Sequence, residues 1–187
     1  METLFQNQYR IKSNRRPFWD YSSFGWYFVT ICTKDRKYYF GEVIDGRMEL
    51  NKIGTIVQNE FIKTEQIRQN IQLDESVVIP NHVHVIFIIN PNHTVETTRW
   101  VVSKPEKEMT HRVISTLTKN SLGSMIGQFK PAASKQIQKI NPSFKWQPNY
   151  YDHIIRDDDD LKRIQQYINE NPQNWEQDRN NPEGLFM

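Results

Sequence analysis

Two histidines one residue apart, His82 and His84, stand in the run Pro80-Asn81-His82-Val83-His84-Val85-Ile86-Phe87. Its β-branched and aromatic residues predict a strand. Side chains alternate along a strand, so both imidazoles point to one face while Val83 and Val85 point to a core on the other. The two Cα atoms then lie about 6.6 Å apart, close enough for two imidazoles leaning together to share one ion. Two histidines that only hydrogen-bond at a surface fit the same spacing. Two imidazoles also leave a coordination sphere incomplete without a third ligand, water or substrate oxygens.

A second group with chemical capacity closes the run Tyr167-Ile168-Asn169-Glu170-Asn171-Pro172. Residues four apart share a helical face, which joins Tyr167 to Asn171 and sets Ile164 and Ile168 on an adjacent stripe able to bury against a sheet. A phenol can be a nucleophile once a base or cation takes its proton. It can equally be a half-buried ring, with Asn171 ending the helix before a proline.

These groups need elements to hold them. Trp26–Thr33 is aromatic and β-branched and predicts a strand, and Tyr38–Gly41 a second short extended piece. Asp45-Gly46 marks a turn. Residues 48–69 carry Leu50, Ile53, Ile56, Val57, Phe61 and Ile67 at mainly helical spacing, with Asn51 as a cap. Residues 71–79 and 82–90 predict an antiparallel pair, joined by Pro80-Asn81. Residues 90–110 predict an irregular insertion. A helix lies within 113–140, and 144–155 is extended. The last helix spans 157–171, with Asp157 as N-cap, acids in its first turn and Pro172 after its end. The polar chain beyond it is expected to be loosely attached. The order predicts an α+β fold with helices on a largely antiparallel sheet.

The 187 residues suit one domain: a basic arm over 1–20, a folded unit over 21–178 and a polar tail over 179–187. Aromatics make up 12% of the chain, enough large rings for a core despite a hydrophobic share of 37%. The single cysteine, Cys32, excludes an internal disulfide and a cysteine zinc site, and is expected to be a small core residue. No apolar run reaches membrane-spanning length, so no membrane partner and a cytoplasmic setting are expected. The net charge of +2 is unevenly spread. Residues 9–16 hold Arg10, Lys12, Arg15 and Arg16 without an acid, and residues 119–145 hold five lysines without one. Such regions can track phosphates, or simply be solvated surface.

Taken together, three blocks resemble the single-tyrosine HUH transposases, most closely the REP-associated tyrosine transposase branch. HUH denotes His-hydrophobic-His, which His82-Val83-His84 satisfies within the block from Val77. Trp146-Gln147-Pro148-Asn149-Tyr150-Tyr151-Asp152-His153-Ile154-Ile155-Arg156 is similar to that family's second block, and Tyr167-Ile168 followed by Asn171-Pro172 to its third. The run from Ser121 to Lys130 is also similar to this branch. The resemblance covers about Trp26 to Trp175. It implies a ferredoxin-like antiparallel sheet with helices packed on one face, and cleavage and rejoining of single-stranded or hairpin DNA. It further implies Tyr167 as nucleophile and His82, His84 and Asn171 as ligands of Mg²⁺ or Mn²⁺. His153 is then expected to shape the site, and Arg15, Arg16, Lys130 and Arg156 to contact DNA. Monomer and homodimer both remain open. The alternative is a domesticated hairpin-binding protein with little cleavage.

Overall fold

The structure, a computed structural model, describes residues 16, 18–90 and 120–183. Arg15, most of the basic arm and the expected insertion over 90–110, apart from Asn90, lie outside the described residues.

Four antiparallel strands form the main sheet: β1 (Gly25–Cys32), β4 (Ile71–Ile79), β5 (His82–Ile89) and β6 (Tyr151–Ile155), in the order β4-β5-β1-β6. Helices α1 (Lys52–Ile67) and α2 (Leu122–Ile137) connect them in the sequence strand-helix-strand-strand-helix-strand, which is the ferredoxin-like α+β arrangement. A small hairpin, β2 (Gly41–Ile44) and β3 (Arg47–Leu50), precedes α1, and α3 (Asp158–Glu170) follows β6.

Period-2 alternation sorts the side chains. Tyr27, Val29 and Ile31 of β1 and Val83, Val85, Phe87 and Ile89 of β5 pack beneath α1 and α2, through Val57, Phe61, Leu122, Met125 and Phe129. The Phe61 and Phe129 rings stack at 4.1 Å, which locks the two helices over the sheet. The other face carries Phe28, Ile86 and Ile155, covered by Ile164 and Ile168 of α3. Two helices therefore cover one face, and the third brings its own stripe to the opposite one.

Local chemistry sets the element ends. The Asn51 side chain accepts from the N–H groups of Ile53 and Gly54 at 2.8 and 3.0 Å, capping α1 as expected. Asp157 accepts from Asp160 N–H at 2.8 Å at the start of α3. Asp45 (φ 49°) and Gly46 (φ 72°) make the two-residue turn between β2 and β3. At Gly41 (φ 137°) a Cβ would fall 2.0 Å from the Glu49 carbonyl oxygen, so the hairpin can start only on glycine.

Two expectations require correction. Residues 48–50 belong to β3 rather than to the first helix, because the hairpin turn pairs Val43 with Met48 and Gly41 with Leu50. Residues 173–183, expected to be loosely attached, are docked instead. Trp175, Asp178, Asn180 and Asn181 are buried against the sheet.

Ile168, wholly buried beside Phe28 and Ile86, fixes the seating of α3. Ile168→Ala is expected to lower stability by about 2–5 kcal/mol in chemical denaturation.

Candidate functional site

The site lies on the α3 side of the sheet, at the start of β5. Cross-strand register places His82 between Cys32 and Ile79, and His84 between Thr30 and Val77. Both imidazoles are fully buried. Their Nε2 atoms face each other at 2.9 Å, and each Nδ1 atom is held from behind. Thr30 Oγ1 lies 2.9 Å from His84 Nδ1, and Asn81 Oδ1 lies 2.7 Å from His82 Nδ1.

The Asn81 contact fixes a tautomer. Its amide nitrogen donates to the carbonyls of Arg36 (3.0 Å) and Asn180 (2.7 Å), so its oxygen is the atom facing His82. His82 Nδ1–H then donates to that oxygen, and Nε2 carries a lone pair. Burial pushes His82 down to about 3, with the Arg179 and Arg36 charges adding to the effect. His84 is also well below the usual imidazole range, through burial and then the neighbouring His82. Two neutral imidazoles thus aim nitrogen atoms into one small volume.

Helix α3 and the turn after it supply the remaining groups. Tyr167 Oη lies 3.2 Å from His84 Nε2 and donates to Asp178 Oδ2 at 3.2 Å. Asn171 donates from Nδ2 to the same carboxylate oxygen at 3.0 Å, while its own buried Oδ1 has no hydrogen-bond partner. Asp178 Oδ1 accepts from Asn180 N–H at 2.6 Å. Burial raises the Tyr167 phenol to about 12, reinforced by the Asp178 carboxylate, although 40% of the residue remains exposed. The phenol therefore keeps its proton in the resting site.

His82, His84 and Asp178 each bring one donor atom within 4.8 Å of the others, and all three are buried. Ligands at right angles around an ion about 2.1 Å away stand about 3 Å apart, which the 2.9 Å imidazole separation matches. Imidazole and carboxylate donors together suit a divalent cation of borderline character. The donor set fits a metal.

Not every expected site residue gathers here. His153 Nε2 lies 2.7 Å from Asp160 Oδ2 and ties β6 to the first turn of α3. Burial opposes ionisation of Asp160, but hydrogen bonds from His153 and Arg163 hold its pKa below the usual carboxylate range. Lys130 donates to the carbonyls of Gln147 (2.9 Å) and Asn149, and burial lowers its ammonium to about 8. Its Nζ thus binds the loop leading into β6. Arg156 is exposed near the start of α3, and Arg16 lies 5.6 Å from the Trp19 ring centroid. Cys32 is half-buried on the site face, its thiol 4.0 Å from Asn180 Oδ1 and raised in pKa by burial. Sequence reasoning missed Asp178, Asn180 and Trp175. A tryptophan within an otherwise polar tail was the one signal that this segment docks.

The fold and site define a ferredoxin-like protein with a buried histidine pair facing a tyrosine on a late helix. No family model matches the chain. An uncharacterized protein of Haemophilus influenzae is 33% identical over 169 residues, covering 90% of this chain and 91% of that one, and the chain belongs to its family. Among solved structures, a REP-associated tyrosine transposase bound to a REP hairpin is similar with a TM-score of 0.57 at 18% identity, over 88% of this chain and 74% of that one. The chain has the fold of that transposase.

The buried neutral imidazoles make stability pH-dependent. Below pH 6.5 the unfolded His82 takes up a proton that the folded side chain refuses until about pH 3. Stability from this group is fully present above about 6.5 and is lost as pH falls through that window. Urea midpoints measured from pH 7.5 to 4 are expected to decline, and less steeply in His82→Gln.

Proposed function

We propose that this protein is a metal-dependent DNA strand transferase that cuts single-stranded or hairpin-forming DNA through Tyr167 and rejoins it. The observation that carries the reading is the 3.2 Å approach of Tyr167 Oη to His84 Nε2, within a cluster of three buried metal-donor side chains. The fold shared with a transposase that binds a REP hairpin supports the same class of substrate.

His82 and His84 would hold the ion from the sheet, and Asp178 is the third donor best supported by the geometry. Asn171, expected as the third ligand, steadies that carboxylate through its amide nitrogen, and its unpaired Oδ1 leaves it available as a further donor. A divalent cation held by these residues would neutralise charge on the phosphate and favour the phenolate.

The residues of the chain do the rest. The Tyr167 oxygen attacks phosphorus, forming a 5′-phosphotyrosine while the 3′-oxygen departs and takes up a proton to become a hydroxyl. The phenolic proton is lost to solvent, which reaches the 40% exposed Tyr167, and solvent returns one to the 3′-oxygen, while Asp178 Oδ2 holds the phenol in place through its hydrogen bond. The ester is conserved in the protein-DNA link, so attack by a 3′-hydroxyl reverses the step without ATP.

Two measurements test this reading. Incubation of labelled single-stranded hairpins with Mn²⁺ or Mg²⁺, followed by a denaturing gel, is expected to trap a protein-DNA adduct. Tyr167→Phe and EDTA should each abolish it. Cleavage by Tyr167→Phe at the parental rate, or a free 5′-phosphate with no adduct, would assign the chemistry to water instead. A gel shift without any adduct would identify a hairpin-binding protein. Separately, Mn²⁺ is expected to raise the melting temperature of the parent. Asp178→Asn, which removes an anionic donor, should weaken that metal binding by at least the roughly 10- to 100-fold that loss of a mere supporting group causes.

A further inference from the structure

The geometry points to a nucleotide subsite formed by Tyr151 and Arg179 beside Tyr167, in which the base flanking the scissile phosphate stacks on the Tyr151 ring and Arg179 meets the DNA backbone. The inference rests on the proposal that the substrate is single-stranded DNA.

Tyr151 opens the edge strand β6 and pairs with Thr30 across the sheet. Thr30 in turn pairs with His84, so Tyr151 stands on the site face, two strands from the histidine. Phe28 joins the groups. Its ring stacks on His84 at 5.2 Å and meets the rings of Tyr151 and Tyr167 edge-on at 6.4 and 6.2 Å. Tyr151 and Tyr167 are therefore aromatic neighbours of one buried ring. Burial separates Tyr151 from the rings of the core, since 41% of it faces solvent. A large aromatic surface left open beside a buried reactive cluster is the component that single-strand binders use to stack bases without reading their sequence.

Arg179 supplies the second component. Its guanidinium lies 5.5 Å from the Tyr151 ring centroid, and the residue is exposed. Its carbonyl accepts from Arg36 Nη1 at 2.8 Å, which anchors the backbone and brings a second cation to the same rim. The Arg179 charge reaches inward to His82, His84 and Tyr167. A phosphate placed for attack by Tyr167 therefore lies in the field of Arg179, and the base joined to it can reach Tyr151. An arginine held over an aromatic ring is also placed to sandwich a base or to swing onto a phosphate. The competing role for this pair is mechanical: fastening the C-terminal turn to β6.

Equilibrium binding separates the two roles without requiring chemistry. The probe is a fluorescein-labelled DNA hairpin with a single-stranded flank of about ten nucleotides. The protein is full-length Tyr167→Phe with Mn²⁺. Adding Tyr151→Ala is expected to weaken binding about 5- to 150-fold, whereas Tyr151→Trp retains it. A single abasic site moved along the flank should weaken binding of the unaltered ring at one position, and at that position Tyr151→Ala should cost nothing further. Arg179→Gln should reduce the slope of log affinity against log salt by about 0.7. Equal loss from Tyr151→Ala at every abasic position would identify a fastening role and overturn the subsite, as would full affinity in Tyr151→Ala. In either case cleavage by the parent would leave the strand-transfer reading intact. Failure of the Tyr151-bearing protein to bind the probe at all would instead overturn the DNA reading and the subsite with it.

Discussion

Two unprotonated imidazoles held 2.9 Å apart on a buried strand face are the constraint from which the rest of this site follows. A charge on either ring would be costly without water, and a proton on both Nε2 atoms would set donor against donor. The protein meets this from behind, with Asn81 and Thr30 on the Nδ1 atoms. Asn81 can serve because its amide nitrogen is already committed to the carbonyls of Arg36 and Asn180. Position 81 is thus both the corner of the β4-β5 hairpin and the device that orients His82. A histidine pair on a strand becomes a directed donor pair only through this second layer.

The same constraint accounts for the third helix on the far face of the sheet. A ferredoxin-like sheet with two helices leaves one surface bare, and here that surface carries Phe28, Ile86 and two neutral histidines. Helix α3 covers the apolar half through Ile164 and Ile168. The turn after it covers the polar half with Asp178 and Asn180, while Trp175 packs 6.0 Å from the His82 ring. Tyr167 lies next to Ile168 in the chain, so the contact that seats the helix also sets the height of the phenol above His84. Packing and candidate chemistry share one helical turn.

The parts legible in the sequence were those with a period or a cap. The alternation through His82–Ile89 placed both histidines on one face, and Asn51 and Asp157 marked their helix starts. The stripe of Ile164 and Ile168 announced a buried face for α3. What stayed hidden had no period. Strand β3 is four residues long, too short for alternation to separate it from the helix that follows. Asp178 and Asn180 lie in irregular turns, and their burial depends on partners distant in the chain: Asn180 meets Asn81 across 99 positions. Lone polar residues in such a segment look the same whether they are solvated or closing a site.

Charge is where the structure adds most to the sequence. Lys130, in a basic stretch that suits phosphate, donates in the folded chain to the carbonyls of Gln147 and Asn149 on the way into β6. Two cations that the sequence did not single out, Arg36 in a short turn after β1 and Arg179 in the terminal segment, also act on the site. Both push His82 further from protonation. Arg179 also lowers the Tyr167 phenol, against the upward push of burial and Asp178. One arrangement of charge therefore favours neutral imidazoles and opposes the upward push on the phenol. The buried carboxylate of Asp178 is the one negative group of the His82, His84 and Asp178 cluster, and it pulls the His84 and Tyr167 protons in the direction opposite to Arg179.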